Sequence, residues 1–374
     1  MPHLPAPRWM RDLLRVAACS ALASIACVLS GSPATAADSA VPSSASAAPA
    51  ATSGQALYAR YCKLCHAADA TGYAADHAPS LVSRTFLESA SDDFISRGIR
   101  FGRPGTAMAA YSKALGGPLE DARVAQIVAF LRSKGPAPTP LPEVQLSGDA
   151  ERGKQLFAHE CQSCHAATPA ASKAPSLQNP EFLAAASPAY LRHAIVNGRP
   201  PTRMPAFGQR LKASQIDDLV AWLESAPKAP FAHAEAPSVP DNLPLIPYPK
   251  GKPPQFTLRE NRYVPAEQVR KALAAKQRLI IIDARSPADW IQFHIPGAVS
   301  IPYYETSRLT RVPNDGTWVV AYCACPHHAS GAIVDALQRM GYPHTAVLDE
   351  GILYWQQQGF ALEGTAIPKQ NAPR

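Results

Sequence analysis

Two all-α domains followed by an α/β domain with a parallel sheet is the architecture this sequence predicts, on three observations. A Cys-x-x-Cys-His pentad occurs twice, at Cys62-Lys63-Leu64-Cys65-His66 and at Cys161-Gln162-Ser163-Cys164-His165. Proline-rich stretches follow each of the two regions that hold a pentad. From Tyr263 onward, apolar strand-like runs alternate with helical segments, the pattern of a parallel sheet flanked by helices. A length of 374 residues with 38 prolines suits three modest domains and their linkers.

The pentad is the spacing of covalent c-type haem attachment, in which two thiols add to the porphyrin vinyl groups and the adjacent histidine ligates the iron. Cysteines three apart on one helical turn project to the same side. A sixth ligand is commonly a methionine thioether, and past the N-terminal region the chain offers only Met108, Met204 and Met340. The first two fall in matching text: Gly102-Arg103-Pro104-Gly105-Thr106-Ala107-Met108 aligns with Gly198-Arg199-Pro200-Pro201-Thr202-Arg203-Met204 at an offset of 96. Ala78-Pro79-Ser80-Leu81 and Ala174-Pro175-Ser176-Leu177 repeat at the same offset, so the chain contains an internal repeat. A zinc knuckle or a redox dithiol would explain one pentad but not a methionine at a repeated offset. His77, His159 and His193 are available for bis-histidine ligation, yet none occurs at equivalent points in both copies.

Residues 50–134 and 148–226 each resemble a class I cytochrome c domain. Each has an opening helix, the attachment pentad, a proline after it and a distal methionine. Each closes with an apolar-periodic helix, Val124-Ile127-Val128-Phe130-Leu131 and Ile216-Leu219-Val220-Trp222-Leu223. The resemblance implies two covalently bound haem c groups, held through Cys62 and Cys65 with His66 and Met108, and through Cys161 and Cys164 with His165 and Met204. It also implies that the Pro79 and Pro175 carbonyls accept bonds from the two proximal imidazoles.

At the start of the chain, Arg8, Arg11 and Arg15 precede the apolar run Val16 to Leu29, and Ala34-Thr35-Ala36 supplies small residues for cleavage. Residues 1–36 therefore read as a secretory signal peptide. The run of about 14 residues is short for a hydrocarbon core of ~30 Å, which favours export over an uncleaved anchor. No other stretch reads as a membrane span. Export to the bacterial periplasm agrees with the cysteines, since removal of Cys19 and Cys27 and attachment of two haems leave only Cys323 and Cys325.

Residues 37–53, rich in Ala, Ser and Pro, read as a flexible tether. Between the repeats, Ser133 to Asp149 carries prolines at 136, 138, 140 and 142 and reads as a semi-rigid spacer. Residues 227–259 hold nine prolines between Pro227 and Pro254 and read as an extended linker that leaves the third domain some freedom. The formal charge is +7, of which residues 1–36 contribute +2. With no basic run interleaved with aromatics, nucleic acid is excluded as a partner, and redox proteins are the expected ones.

In the third domain, Leu279-Ile280-Ile281-Ile282-Asp283, Trp318-Val319-Val320-Ala321-Tyr322 and Thr345-Ala346-Val347-Leu348 read as buried strands. Residues 260–364 resemble a rhodanese domain, on Asp283-Ala284-Arg285, His294-Ile295-Pro296-Gly297-Ala298, Tyr322-Cys323 and Leu348-Asp349-Glu350-Gly351-Ile352-Leu353-Tyr354-Trp355. The resemblance implies that Cys323 ends the central strand as a nucleophile that carries sulfane sulfur as a persulfide. Loop N–H groups and the positive end of a helix starting near Ala329 would stabilise that anion. Cys325 is the alternative or resolving thiol. His328 and Ala329 stand where thiosulfate-using members carry a cation followed by Ser or Thr. A dianionic donor is then held less well unless His327 and His328 are protonated, and Glu350 places an acid near the site. Asp283 with Arg285 reads as a structural ion pair, and His294 as a structural histidine.

The whole reads as an exported dihaem electron-transfer protein whose third domain takes sulfur from an inorganic or carrier-bound donor. The alternative is a pure electron carrier with a non-enzymatic docking or sensing module. The thiols Cys323 and Cys325 with His328 are thus the candidate sulfur-handling residues.

Overall fold

The computed structural model describes residues 53–73, 78–145, 147–166, 174–230, 232–324 and 327–367. The signal-peptide and tether readings, His77 and Cys325 lie outside the described residues. The first repeat is built of helices α1 (Gly54–Tyr61), α2 (Lys63–His66), α3 (Arg84–Ser89), α4 (Asp92–Phe101) and α5 (Asp121–Arg132). The second is built of α6 (Ala150–Glu160), α7 (Pro180–Ala185), α8 (Pro188–Asn197) and α9 (Ala213–Glu224).

Small polar side chains start corresponding helices in the two copies. The Ser91 hydroxyl accepts from Phe94 N at 3.0 Å to open α4, and Ser187 accepts from Tyr190 N at 3.1 Å to open α8. The opening and closing helices of each copy cross at a glycine. A Cβ on Gly54 would stand 2.0 Å from the Gln126 carbonyl oxygen, and one on Gly153 would stand 2.0 Å from that of Asp218. Only glycine lets these backbones touch. An aromatic pair fills the space beside each crossing, Tyr58 with Phe130 and Phe157 with Trp222.

The two copies share one apolar cluster, which runs from Leu57, Ile95 and Ile127 to Leu183, Leu191 and Val220. Phe94 and Tyr190, equivalent residues of α4 and α8, meet within it, ring centroids 4.4 Å apart and planes tilted by 32°. A buried ion pair, Arg97 with Glu181 at 3.7 Å, crosses the same boundary.

The third domain contains β1 (Tyr263–Val264), α10 (Ala266–Ala274), β2 (Leu279–Asp283), α11 (Pro287–Gln292), β3 (Val299–Ser300), β4 (Trp318–Tyr322), α12 (His328–Arg339), β5 (Thr345–Leu348) and α13 (Gly351–Gln357). The strands form one sheet in the order β1-β5-β4-β2-β3, and every pair is parallel. Both faces are buried, as the unbroken apolar runs of β2 and β4 require. The two-residue period puts Val319, Ala321 and Cys323 on the face covered by Ile333, Val334 and Leu337 of α12. Val320 and Tyr322 face the opposite layer with Val269, Ile352 and Trp355.

Among the described residues of 227–259 there is no helix or strand, as their prolines predict. The freedom expected of the third domain is not what the structure shows. Leu243, Leu245 and Ile246 of the linker pack on the apolar core of the third domain, and Ala236 N donates to the Ala114 carbonyl at 2.8 Å. The linker is extended because of proline, but apolar side chains between its prolines lay it onto the third domain and a backbone bond ties it to the first repeat.

Candidate haem-attachment and sulfur sites

Each pentad follows directly on its opening helix. The ring Nδ1 of His66 lies 3.1 Å from the Pro79 carbonyl oxygen, and that of His165 lies 2.8 Å from the Pro175 oxygen. A carbonyl only accepts, so Nδ1 carries the proton in both rings and Nε2 is left with a lone pair for a metal. Burial lowers both imidazole pKa values, more than the carbonyl bonds raise them, which favours the neutral ligating form.

The methionine loops are alike in detail. Gly102 and Gly198 have φ of 63° and 62°, and each starts a loop closed by a backbone bond, Arg103 N to Met108 O at 2.8 Å and Arg199 N to Met204 O at 3.0 Å. The Thr106 hydroxyl accepts from Met108 N, and the Thr202 hydroxyl from Met204 N. Both methionines are half-buried.

The donor set fits a haem c better than a redox dithiol. Burial pushes the Cys62 thiol up to about 12 and, with help from Glu160 and Cys164, the Cys161 thiol up to about 11. A redox Cys-x-x-Cys needs the opposite shift. His193 keeps its place on α8, and His159 sits beside Glu160 with its ring exposed.

Cys323 lies at the carboxyl end of β4, 2 % exposed, with its Sγ 3.2 Å from the Ser330 hydroxyl in the first turn of α12. Sequence reasoning missed Ser330. Its signal was a small polar residue in the first turn of the helix that follows the thiol. His328 is the first residue of α12 and meets the Tyr73 ring of the first repeat edge-on, centroids 5.6 Å apart. His327, with φ of 72°, stacks on Tyr263, and its Nε2 donates to the Asp349 carbonyl at 2.6 Å.

The acid expected near the thiol is directed elsewhere. Glu350 accepts from Ala266 N at 2.8 Å, at the start of α10, and pairs with Arg259. Asp283 and Arg285 form a buried ion pair at 2.7 Å, which the Tyr322 hydroxyl extends by donating to Asp283. Burial works against the Arg285 charge, and the adjacent carboxylate overcomes it and holds the guanidinium above its usual range. His294 stacks on Trp290 at 3.9 Å and donates from Nδ1 to the Trp290 carbonyl. All three are held in contacts within the third domain.

A cluster of tyrosines joins the third domain to the first repeat. Tyr303, just after β3, donates its hydroxyl to the carbonyl of Tyr61, the residue before Cys62. Tyr111, just after Met108, donates to the same carbonyl at 3.1 Å. Ser286 donates to the Ala110 carbonyl at 2.8 Å.

The family model for cytochrome c oxidase, cbb3-type, subunit III, matches residues 49–131 and again 148–223, and the rhodanese-like domain model matches residues 265–358. The chain therefore consists of two cytochrome c domains followed by a rhodanese-like domain.

Among curated relatives, a dihydro-heme d1 dehydrogenase of Pseudomonas aeruginosa is 40% identical over 75 residues, 20% of this chain and 15% of that protein. The cbb3-type cytochrome c oxidase subunit FixP of a Bradyrhizobium species is 29% identical over 171 residues, 43% of this chain and 56% of that protein. A sulfurtransferase of Allochromatium vinosum is 28% identical over 100 residues, 26% of this chain and 92% of that protein. The chain thus spans a small part of the first of these relatives and about half of the second. Cytochrome c domains hold haem c covalently and exchange electrons with redox partners. Among the described residues, no helix is long and apolar enough to cross a membrane.

Proposed function

We propose that the chain is an exported, periplasmic dihaem cytochrome c whose rhodanese-like domain handles sulfane sulfur as a persulfide on Cys323. Each haem would be held by one pentad, with Met108 and Met204 as distal ligands, and would supply single-electron transfer. In the sulfur step the Cys323 thiolate attacks the outer sulfur of a donor persulfide, R–S–SH. The donor S–S bond breaks, R–S⁻ leaves, and Cys323–S–SH forms with no net oxidation. The Ser330 hydroxyl is placed to donate to the sulfur anion, and α12 turns its positive end toward the loop. His328 heads that helix in place of a permanent cation, which favours a donor of low charge such as a thiol persulfide over a dianion.

The observation that carries this reading is the position of Cys323 at the carboxyl end of the central strand, against the first turn of α12. Its near-complete burial favours a second reading, a docking or sensing module without turnover. Sulfur transfer from glutathione persulfide or thiosulfate to cyanide, measured on the full chain and on Cys323→Ala, separates the two. Turnover lost in Cys323→Ala is expected, and a wild-type chain inert to both donors would select the second reading.

A further inference from the structure

The two cytochrome domains are near-copies, yet their attachment faces differ at three of the positions that meet the rhodanese-like domain. The first has Tyr61, Leu64 and Tyr111 where the second has Glu160, Ser163 and Phe207. Leu64, inside the first pentad, packs on the apolar core that contains Cys323, while Ser163 is exposed. Helix α2 lies against α12, the helix that cradles the thiol. Tyr61 offers the carbonyl on which the hydroxyls of Tyr111 and Tyr303 converge, 3.2 Å from each other. Glu160 instead pairs with Arg210 of its own domain, and Phe207 has no hydroxyl to donate. On the other side of the first site, the Met108 loop and α11 enclose a small crevice lined by Pro104, Thr106, Met108, Asp289 and Phe293. The rhodanese-like domain thus touches both segments proposed to ligate the first haem.

We propose that the rhodanese-like domain is part of the first haem site, with Tyr303 as a positioning residue, and that sulfur loading of Cys323 is linked to the properties of that haem and not of the second. This rests on the proposal of two haems and a Cys323 persulfide. Tyr303 is tied to the residue just after β2 by its own N–H bond to the Ala284 carbonyl, so its hydroxyl reports the position of the sheet's carboxyl edge. An added sulfur atom on a 2 % exposed thiol must displace neighbours, and those neighbours include α12 and through it α2. Linkage is reciprocal, so the oxidation state of the first haem also biases sulfur affinity at Cys323.

The test uses the full holoprotein. Low-temperature electron paramagnetic resonance and a redox titration resolve two ferric haems, and Met204→Ala assigns the second. Tyr303→Phe and, separately, Leu64→Ser, which copies the second repeat, are each expected to shift the signal and midpoint of the first haem and leave the second in place. Loading wild type with glutathione persulfide, verified as the mass of one sulfur atom on Cys323, is expected to shift the first haem alone, and less in Tyr303→Phe. Equal shifts in both haems, or none in the first with Cys323 loaded, would overturn the linkage. If no sulfur adds to Cys323, the persulfide reading fails, and an unmoved first haem in both variants then overturns the positioning role as well.

Discussion

A histidine becomes a metal ligand through what holds its other nitrogen. His66 and His165 each present Nδ1 to a proline carbonyl, and proline has no N–H of its own to donate back into the loop. The methionines are positioned by backbone bonds that close six-residue loops at Gly102 and Gly198. If Met108 and Met204 are the distal ligands, the ferric sulfur-to-iron charge-transfer band in the near-infrared carries two-haem intensity, and Met204→Ala halves it. A spectrum unaltered by Met204→Ala would remove Met204 from the ligand set.

Among helices, the glycine crossings decide whether each cytochrome domain closes. A Cβ at Gly153 would meet both the Asp218 carbonyl and, at 2.9 Å, the Trp222 side chain. Neither can retreat, because Trp222 is held by Phe157 and Asp218 accepts from Asp149 N and Arg152. Gly153→Ala is expected to force α6 away from α9 at a cost of about 1–3 kcal/mol, the range for overpacking. Covalent haem retained under denaturing electrophoresis should fall toward one per chain, with the first domain still loaded. Retention of both haems with an unchanged melting temperature would show that the crossing tolerates the methyl group.

In the whole molecule, the three domains within residues 51–374 pack as one compact unit, with apolar and aromatic residues facing each other across the boundaries. Phe94 touches Phe86, Phe182 and Tyr190, drawing rings from both cytochrome domains. It is 6 % exposed, so Phe94→Ala should cost about 3–5 kcal/mol, the range for a buried aromatic. Thermal unfolding followed at the haem bands is expected to split into two transitions as the domains uncouple. A single transition at the wild-type temperature would place the coupling elsewhere.

Much of this molecule was legible from local spacing. The two pentads, the proline and methionine echoes, and the strand runs around Ile281 and Val320 carry their meaning within a few residues. Short-range geometry requires those residue types there, so the three domains and the candidate ligands could be read without coordinates. Glu350 and the linker were not legible in this way. Its place in sequence brought Glu350 beside the sulfur loop, but its carboxylate turns to the free N–H of Ala266 and to Arg259, partners distant in the chain. Counting prolines showed that residues 227–259 are extended and could not show what Leu243, Leu245 and Ile246 would cover. The meeting of Tyr303 with Tyr61 spans 242 residues, and it depends on how whole faces fit. Such long-range contacts have no local signature, because each partner alone is an ordinary tyrosine or carbonyl, and only the packed chain sets the first pentad against the Cys323 helix.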